Sequence, residues 1–321
     1  GRSEQFMTLA DGLGDLDYKV SIAARNDDGF EQRYDGKNLN IANIRGDYQA
    51  GNNDLITLDL QYNNGHFQED GADINYSMPE HTKEITQTSY QAKWIHSFST
   101  DDNFTLHYYK QQYDDDNSYI GDYSSDDLGF VFTDERVKTD RENIEMSYSK
   151  YSDAYSLTIG GLYRIDNTIT PQYLYNVDKD IKTRQFFINT ELRLDDDNLL
   201  NLNLLRDDND TGGASLSPRI AFNHQFSKSH SARIAYAESC RSPFVLEEYT
   251  NYVVYVPDLS SNVTIWTDKY DLMPEKIKTW DIGYMANIIK KKTELDFRLY
   301  RNKISQLIVI EYSFGNSVFE E

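Results

Sequence analysis

The chain has little cysteine and no long apolar run. Its one cysteine, Cys240, cannot form an internal disulfide, which excludes a disulfide-stabilised fold. No stretch of about 18 apolar residues occurs, and this excludes a transmembrane helix. The mean hydropathy of −0.70 is that of a water-soluble protein. Strands that alternate apolar and polar residues would also give such a value, because only half of their side chains face lipid.

Positive charge is scarce as well. The 32 Lys and Arg residues stand against 53 Asp and Glu residues, for a net charge of −21. Such a surface repels DNA and RNA, so no nucleic acid is expected as a partner. The 6 histidines are scattered without metal-ligand spacing. Gly-x-Ser-x-Gly, phosphate-loop and Cys-x-x-Cys motifs are absent from the sequence. The sequence therefore predicts no metal site, no cofactor and no enzymatic activity.

Alternation of apolar and polar residues dominates the chain. In residues 55–62, for example, Ile56, Leu58 and Leu60 share one face, while Thr57 and Asp59 lie on the other. We expect roughly fourteen or fifteen strands, most of about 9–13 residues, against about 5–6 residues in soluble sheets. About ten tilted residues are what a strand needs to cross a bilayer. The pattern predicts an all-β, antiparallel, up-and-down membrane sheet.

The connections between these strands alternate in length. Short polar turns are expected at residues 12–15, 50–54, 99–103, 152–154, 195–198, 227–230 and 290–292. Longer segments are expected at residues 26–37, 69–83, 114–141, 167–181, 207–216 and 239–275. A meander with all short turns on one rim and all long loops on the other is typical of outer-membrane barrels. A soluble sandwich or propeller is the alternative, although no internal sequence repeat supports a propeller.

Several motifs of the second half resemble one family. They are Ser217-Pro218-Arg219, Arg241-Ser242-Pro243-Phe244, Pro274-Glu275-Lys276, Trp280-x-Ile282-Gly283-Tyr284 and the stretch from Phe297 to Ile308. In this order they resemble the middle barrel of TonB-dependent outer-membrane receptors, and residues 22–62 look like that family's first hairpins. The resemblance implies a 22-stranded, plugged barrel. We expect residues 1–321 to be one barrel domain, a fragment of the family's barrel without the plug and the last strands.

The resemblance also implies a location, partners and a function. The location is the outer membrane of a Gram-negative bacterium, and the partners are membrane lipid, the receptor's own plug, the TonB complex and a small ligand. The implied function is TonB-energised import of a scarce ligand, with a ferric siderophore first. A carbohydrate or cobalamin receptor, or a passive porin or adhesin, is the alternative. The net negative charge disfavours a strongly anionic ferric catecholate, unless loop arginines such as Arg33 and Arg241 offset it.

Two aromatic-rich loops contain the candidate ligand-binding residues. The candidates are Tyr119, Tyr123, Arg241, Tyr249, Tyr252, Tyr255, Trp266 and Tyr270. Rigid aromatic rings with few polar anchors suit a small organic ligand or a sugar. Alternatively, these rings pack the loops against themselves or line the membrane interface. The acidic residues of the loop at 114–140 could hold Ca²⁺ or Mg²⁺, but a solvated acidic loop is favoured because the EF-hand spacing is not met.

Overall fold

The computed structural model describes residues 1–69, 79–123, 129–175, 177, 179–256, 260–267, 271–288, 293–309, 311–314 and 317–320. In chain order the strands are β1 (Arg2–Leu13), β2 (Leu16–Asp27), β3 (Lys37–Ala50), β4 (Asp54–Glu69), β5 (His81–Ser99), β6 (Asp102–Asp116), β7 (Ser118–Tyr123), β8 (Gly129–Asp134), β9 (Val137–Tyr151), β10 (Tyr155–Ile169), β11 (Asp180–Arg193), β12 (Asn198–Asn209), β13 (Gly213–Ser227), β14 (His230–Arg241), β15 (Asn251–Val256), β16 (Ser261–Thr267), β17 (Glu275–Ile288), β18 (Thr293–Ser305), β19 (Glu311–Phe314) and β20 (Ser317–Glu320). The short helix α1 (Val245–Tyr249) lies between β14 and β15. Within the described residues, no helix is both long and apolar enough to span a membrane.

The main sheet confirms the predicted meander. Its 14 strands follow one another in chain order and pair antiparallel, with β6 next to β9 and β14 next to β17 where the chain leaves the sheet and returns. The strands are long, from 12 residues in β1 to 19 in β5. The count matches the fourteen or fifteen strands expected from the sequence. Among the described residues, β1 and β18 are the two edges of this sheet.

The sheet has two chemically different faces. We call the side with Leu58, Leu202 and Trp280 the apolar face, and the side with Asn201 and Asp281 the polar face. Directly opposed residues share a face, and the row from Leu202 through Ile220 to Trp280 runs across four strands. Leu58 and Trp280 are 54% and 55% exposed. An exposed apolar surface this broad needs lipid or a partner to cover it.

The short turns lie together at one end of the sheet, as predicted. Gly14 and Gly51 have positive φ values of 62° and 77°, so each provides the left-handed backbone that a tight turn requires. In the turn before β12, the Asp195 carboxylate accepts hydrogen bonds from the backbone N–H of Asp197 (2.9 Å) and from the Asn198 side chain (2.7 Å). This local bonding explains why acidic clusters mark turns here.

One predicted long connection was wrong. Residues 207–216 were expected to form a loop, but β12 continues to Asn209 and β13 begins at Gly213, which leaves a three-residue turn. The acidic residues extend the strand because Asp207 and Asp208 pair with Ser215 and Ala214. Inside this turn, the Thr211 hydroxyl donates to the Pro243 carbonyl oxygen (2.6 Å) and so ties the turn to the chain after β14.

Two other segments that were predicted as long loops contain regular secondary structure. The segment between β6 and β9 contains the hairpin β7–β8. The segment between β14 and β17 contains α1 and the hairpin β15–β16. Both hairpins belong to a second sheet of 4 strands, in the order β16-β15-β8-β7. The candidate site is built on this sheet.

Candidate functional site

Three connections from the long-loop end of the main sheet come together in one small unit. We call this unit the cap; it comprises β7, β8, β15, β16 and residues 170–175. The hairpins meet where Tyr255 of β15 pairs with Phe132 of β8. These residues are more than a hundred positions apart in sequence, so local periodicity could not predict that they pair.

The third connection joins the cap through its backbone. The N–H of Val253 donates to the Gln172 carbonyl oxygen (2.8 Å), and the N–H of Asn251 donates to the Tyr173 carbonyl oxygen (2.8 Å). The N–H of Tyr175 donates back to the Asn251 carbonyl oxygen (3.1 Å). Residues 170–175 therefore extend the β15 side of the cap as if they were a further strand.

The Gln172 side chain bridges both hairpins. Gln172 is only 3% exposed. Its amide oxygen accepts from the backbone N–H of Asp134 (2.6 Å), and its amide nitrogen donates to the Tyr252 hydroxyl (3.0 Å). The Tyr252 ring in turn stacks on Tyr173, with 4.8 Å between ring centroids. One side chain thus holds three loops in a fixed relation, since a buried amide is costly unless its hydrogen bonds are made.

The two faces of the cap differ in burial. Val131, Val254 and Val256 are buried and form a small core. Ile120, Phe132 and Tyr255 lie in one cross-strand row on the other face, which we call the aromatic row after its two rings. They are 61%, 43% and 44% exposed. Exposed aromatic rings on a rigid strand scaffold can stack on a ligand at little entropic cost.

Besides Tyr252, two further predicted candidates, Tyr119 and Tyr249, make contacts within the protein. Tyr119 is 9% exposed, and its ring packs on His81 with 4.7 Å between ring centroids. Its hydroxyl donates to Glu135 (3.4 Å). Lys179 donates to the Tyr249 hydroxyl (2.6 Å) from above the ring. Both rings therefore make intramolecular contacts, which is the packing alternative for aromatic loop residues.

Arg241 lies at the base of this region and is already paired. Its guanidinium donates to Glu247 (2.8 and 3.1 Å) and to Glu275 (2.6 Å). Two carboxylates therefore offset its single positive charge. A further, local pair follows β8: Arg136 donates to Asp134 through two hydrogen bonds (2.7 and 2.6 Å), and this bonding raises the pKa of Arg136.

The candidates thus separate into groups. Tyr255 and Trp266 are exposed, at 44% and 47%, so both rings are accessible to a ligand. Their role as ligand contacts stays a prediction. The side chain of Tyr123 and the whole of Tyr270 lie outside the described residues. The sequence pattern does not distinguish Ile120, Gln172 or Tyr173 as site residues. Their only sequence signal is a tyrosine pair, Tyr173 and Tyr175, in the loop before β11.

A second concave region lies at the short-turn end of the polar face. It has a volume of about 540 Å³, and its lining includes Arg193, Arg233 and Arg298. Arg233 is paired with Asp281, and Arg298 donates to Asp296 (2.9 Å). Within the part of the chain that the structure describes, no three His, Cys, Asp or Glu side chains converge as metal ligands. The cap and this cavity stand at opposite ends of the same sheet.

Comparison with known proteins identifies the architecture. A family model described as TonB dependent receptor-like, beta-barrel, matches residues 16–319. The siderophore receptor PirA from Pseudomonas aeruginosa has a TM-score of 0.73 at 12% identity over 98% of this chain and 54% of that chain. The ferric enterobactin receptor PfeA from the same organism has a TM-score of 0.73 at 12% identity over 96% of this chain and 52% of that chain. The alcaligin receptor FauA from Bordetella pertussis has a TM-score of 0.62 at 12% identity, with 98% and 50% covered.

The structural matches and the family match show different things. At 12% identity the structural matches show the fold alone, and the chain spans about half the length of the structures it matches. No curated protein sequence matches the chain significantly. The family match, however, extends over nearly the whole chain and agrees with the up-and-down sheet of 14 strands. The chain therefore belongs to the TonB-dependent receptor family and forms part of its β-barrel.

Proposed function

We propose that the chain is barrel wall of a TonB-dependent receptor that imports a small ligand, a ferric siderophore, across the outer membrane. In this proposal the apolar face contacts lipid and the polar face lines the lumen. In this proposal a plug domain and the contact with TonB belong to other parts of the receptor. The observation that supports capture of a ligand is the cap, which fixes an exposed row of Ile120, Phe132 and Tyr255 at the long-loop end.

The charges of the region narrow the ligand class. Arg241 is held by two carboxylates, so it leaves little positive charge for an anionic complex. The chain as a whole has a net charge of −21. A strongly anionic ferric catecholate would be repelled by this surface, whereas a neutral ferric hydroxamate would not. We therefore propose a neutral ferric siderophore that rests its organic shell on the aromatic row.

In the same proposal, charged residues of the polar face contact the plug domain. Arg193, Arg233 and Arg298 line the cavity at the short-turn end, where carboxylates partly balance them. A plug domain seated in the lumen would meet this surface. Paired charges on a lumen wall give specific but breakable contacts, because their energy is modest where water can reach them. That suits a plug that must hold the lumen closed and yet be rearranged during transport.

The test is an uptake experiment in the source bacterium. The full-length gene is deleted and restored, and uptake of radioactive iron is measured with a ferric hydroxamate and with ferric enterobactin. We expect the restored strain to regain hydroxamate uptake, and a tonB deletion to abolish it. Unchanged uptake of both iron complexes in the deletion strain would refute the siderophore proposal and favour the carbohydrate or cobalamin alternative. Steady ion conductance of the purified receptor in planar bilayers would instead indicate a porin.

A further inference from the structure

The chain as a whole is acidic, yet a group of cations lies on the apolar face. We call Lys276, Lys278, Arg301 and Lys303 the basic patch. Their strands β17 and β18 are directly paired, with Lys278 opposite Lys303 and Arg301 opposite Trp280. Opposed residues share a face, so all four cations project from the same side as Trp280 and Leu299. All four are exposed, and Arg301 and Lys303 lie on β18, the edge strand of the described sheet.

The basic patch has a charge excess that the rest of this face does not show. Its neighbour Glu238 binds Lys278 (3.1 Å), and among the described residues this is the only ion pair that the patch makes. Elsewhere on the apolar face, two cations toward the long loops have close carboxylate partners. Lys110 binds Glu142 (2.6 Å) and Lys138 binds Asp114 (2.8 Å).

The directly opposed pair of Lys278 and Lys303 is unfavourable by itself. Like charges at opposed positions of an antiparallel ladder destabilise the sheet. A multivalent anion placed over β17 and β18 would remove this repulsion. Phosphate groups suit such a site, since their oxygens accept several charge-assisted hydrogen bonds from lysine and arginine.

The position of the basic patch along the strands indicates where that anion comes from. On the apolar face of β17, Trp280 is the aromatic residue nearest to the long-loop end. It packs on Tyr236 with 4.6 Å between ring centroids. Tryptophan and tyrosine are enriched at the boundary between lipid and water. Lys278 lies two residues, about 7 Å, beyond Trp280 toward the long loops. Ile282 and Leu299, both exposed, lie on the other side of that boundary.

We propose that the basic patch binds the phosphate groups of a membrane lipid in the leaflet on the long-loop side, while the acyl chains of that lipid cover Ile282 and Leu299. The inference rests on the proposed location in the outer membrane. It adds a lipid site to the outside of the wall, away from the cap and from the lumen. The charge complementarity between four cations and a phosphorylated headgroup carries it.

The experiment uses the full-length receptor, extracted from the outer membrane in mild detergent. Native mass spectrometry measures binding of lipid A, a phosphorylated glycolipid, and of lipid A from which the phosphates have been removed. In the triple variant Lys276→Gln, Arg301→Gln, Lys303→Gln, we expect lipid A to bind roughly 100-fold more weakly, because each basic side chain near an anionic lipid contributes about fivefold. Lysine and arginine exchanges that keep the charge at these positions should preserve binding. The matched control is Lys110→Gln, which removes a paired cation from the same face and should have no effect.

Four results would overturn the lipid site. Equal affinity of wild type and triple variant is the first, and equal binding of the dephosphorylated lipid is the second. The third is complete competition by micromolar inorganic phosphate, which would make free phosphate the ligand. A loss of oligomers without a loss of lipid would assign the basic patch to a protein partner and would also refute it. Fractionation of the same strains keeps the two proposals apart: absence of the receptor from the outer membrane refutes the proposed function, whereas presence there with unchanged lipid binding refutes only the lipid site.

Discussion

Tyr252 and Tyr173 stack face to face, with 4.8 Å between their centroids and 10° between their planes. They come from two different connections, the one before β11 and the one before β17. The same Tyr252 accepts a hydrogen bond from Gln172, which also binds the backbone of the hairpin β7–β8. Three loops that could move separately are therefore joined at one point. This makes the cap a preorganised surface, and preorganisation is what lets a few exposed rings bind a ligand tightly.

We expect Gln172→Ala to loosen the cap without unfolding the wall. The substitution leaves the N–H of Asp134 and the hydroxyl of Tyr252 without their partner, at a cost of about 1–3 kcal/mol. Hydrogen exchange of the full-length receptor should then show faster exchange in β8 and β15 and unchanged exchange in the main sheet. Gln49→Ala is the matched control, because among the described residues the Gln49 amide donates to the carbonyl oxygens of Gly51 and Asp54, at the other end of the sheet. Equal protection of the cap in both variants would show that Gln172 does not join the loops.

We expect Tyr255→Ala to weaken ligand binding while the receptor remains folded. The ring is 44% exposed, so its removal leaves no buried cavity. An aromatic anchor at the centre of a binding surface contributes more than about 1.4 kcal/mol, which corresponds to a loss of about tenfold in affinity. Ligand titration by intrinsic fluorescence would measure it. Tyr151→Ala removes a ring of similar exposure (49%) at the short-turn end and should leave affinity unchanged. If both variants bind equally well, the aromatic row is not the ligand surface.

The two faces of β12 give a direct test of which side meets lipid. Leu202 lies on the apolar face, and its neighbour Asn201 lies on the polar face opposite Glu191. Leu202→Arg should destabilise the receptor by about 2–4 kcal/mol, as expected for a cation near the middle of a bilayer. Asn201→Arg adds the same side chain on the wet side, next to a carboxylate, and should change stability little. Urea unfolding in lipid vesicles compares the two. An equal loss for both variants would contradict the assignment of the faces.

The sequence was sufficient to predict the wall because its signal is local. Alternation with period 2 places Leu202 and Asn201 on opposite faces whatever their partners are, and turn residues such as Asp195 mark the ends of strands. The prediction failed where a run of acidic residues was interpreted as a loop. Asp207 and Asp208 were assigned to a loop because they are acidic, yet both are paired within the ladder between β12 and β13.

The cap could not be predicted in the same way. Its contacts join residues that are distant in sequence, as in the pairing of Phe132 with Tyr255 and the hydrogen bond from Gln172 to Tyr252. Composition indicated correctly that these loops are rich in aromatic residues. It could not separate a ring that packs inside, such as Tyr119, from one that is exposed, such as Tyr255. That difference depends on which strand lies across the hairpin, and only the tertiary structure gives it.

A glycine in β10 shows how closely the strands of the wall approach one another. A Cβ atom on Gly160 would lie 2.6 Å from the Met146 carbonyl oxygen and 2.5 Å from the Phe187 ring. The ring can rotate away, but the carbonyl belongs to the backbone of β9 and cannot move without the strand. We therefore expect Gly160→Ala to destabilise the receptor by about 1–3 kcal/mol, as overpacking does. Adding Phe187→Leu, which relieves only the contact with the ring, should not restore stability.

The control for this substitution is Gly46→Ala. There the nearest atom to a new Cβ is the Leu16 Cδ1 at 3.7 Å, an ordinary contact, so we expect a change within about 0.5 kcal/mol. Urea unfolding of the full-length receptor in lipid vesicles measures all three variants. If the double variant with Phe187→Leu regains wild-type stability, the ring and not the strand backbone limits the space at Gly160. The spacing between β9 and β10 would then be set by side-chain packing on the polar face, and larger residues at Gly160 would be tolerated once that packing is relieved.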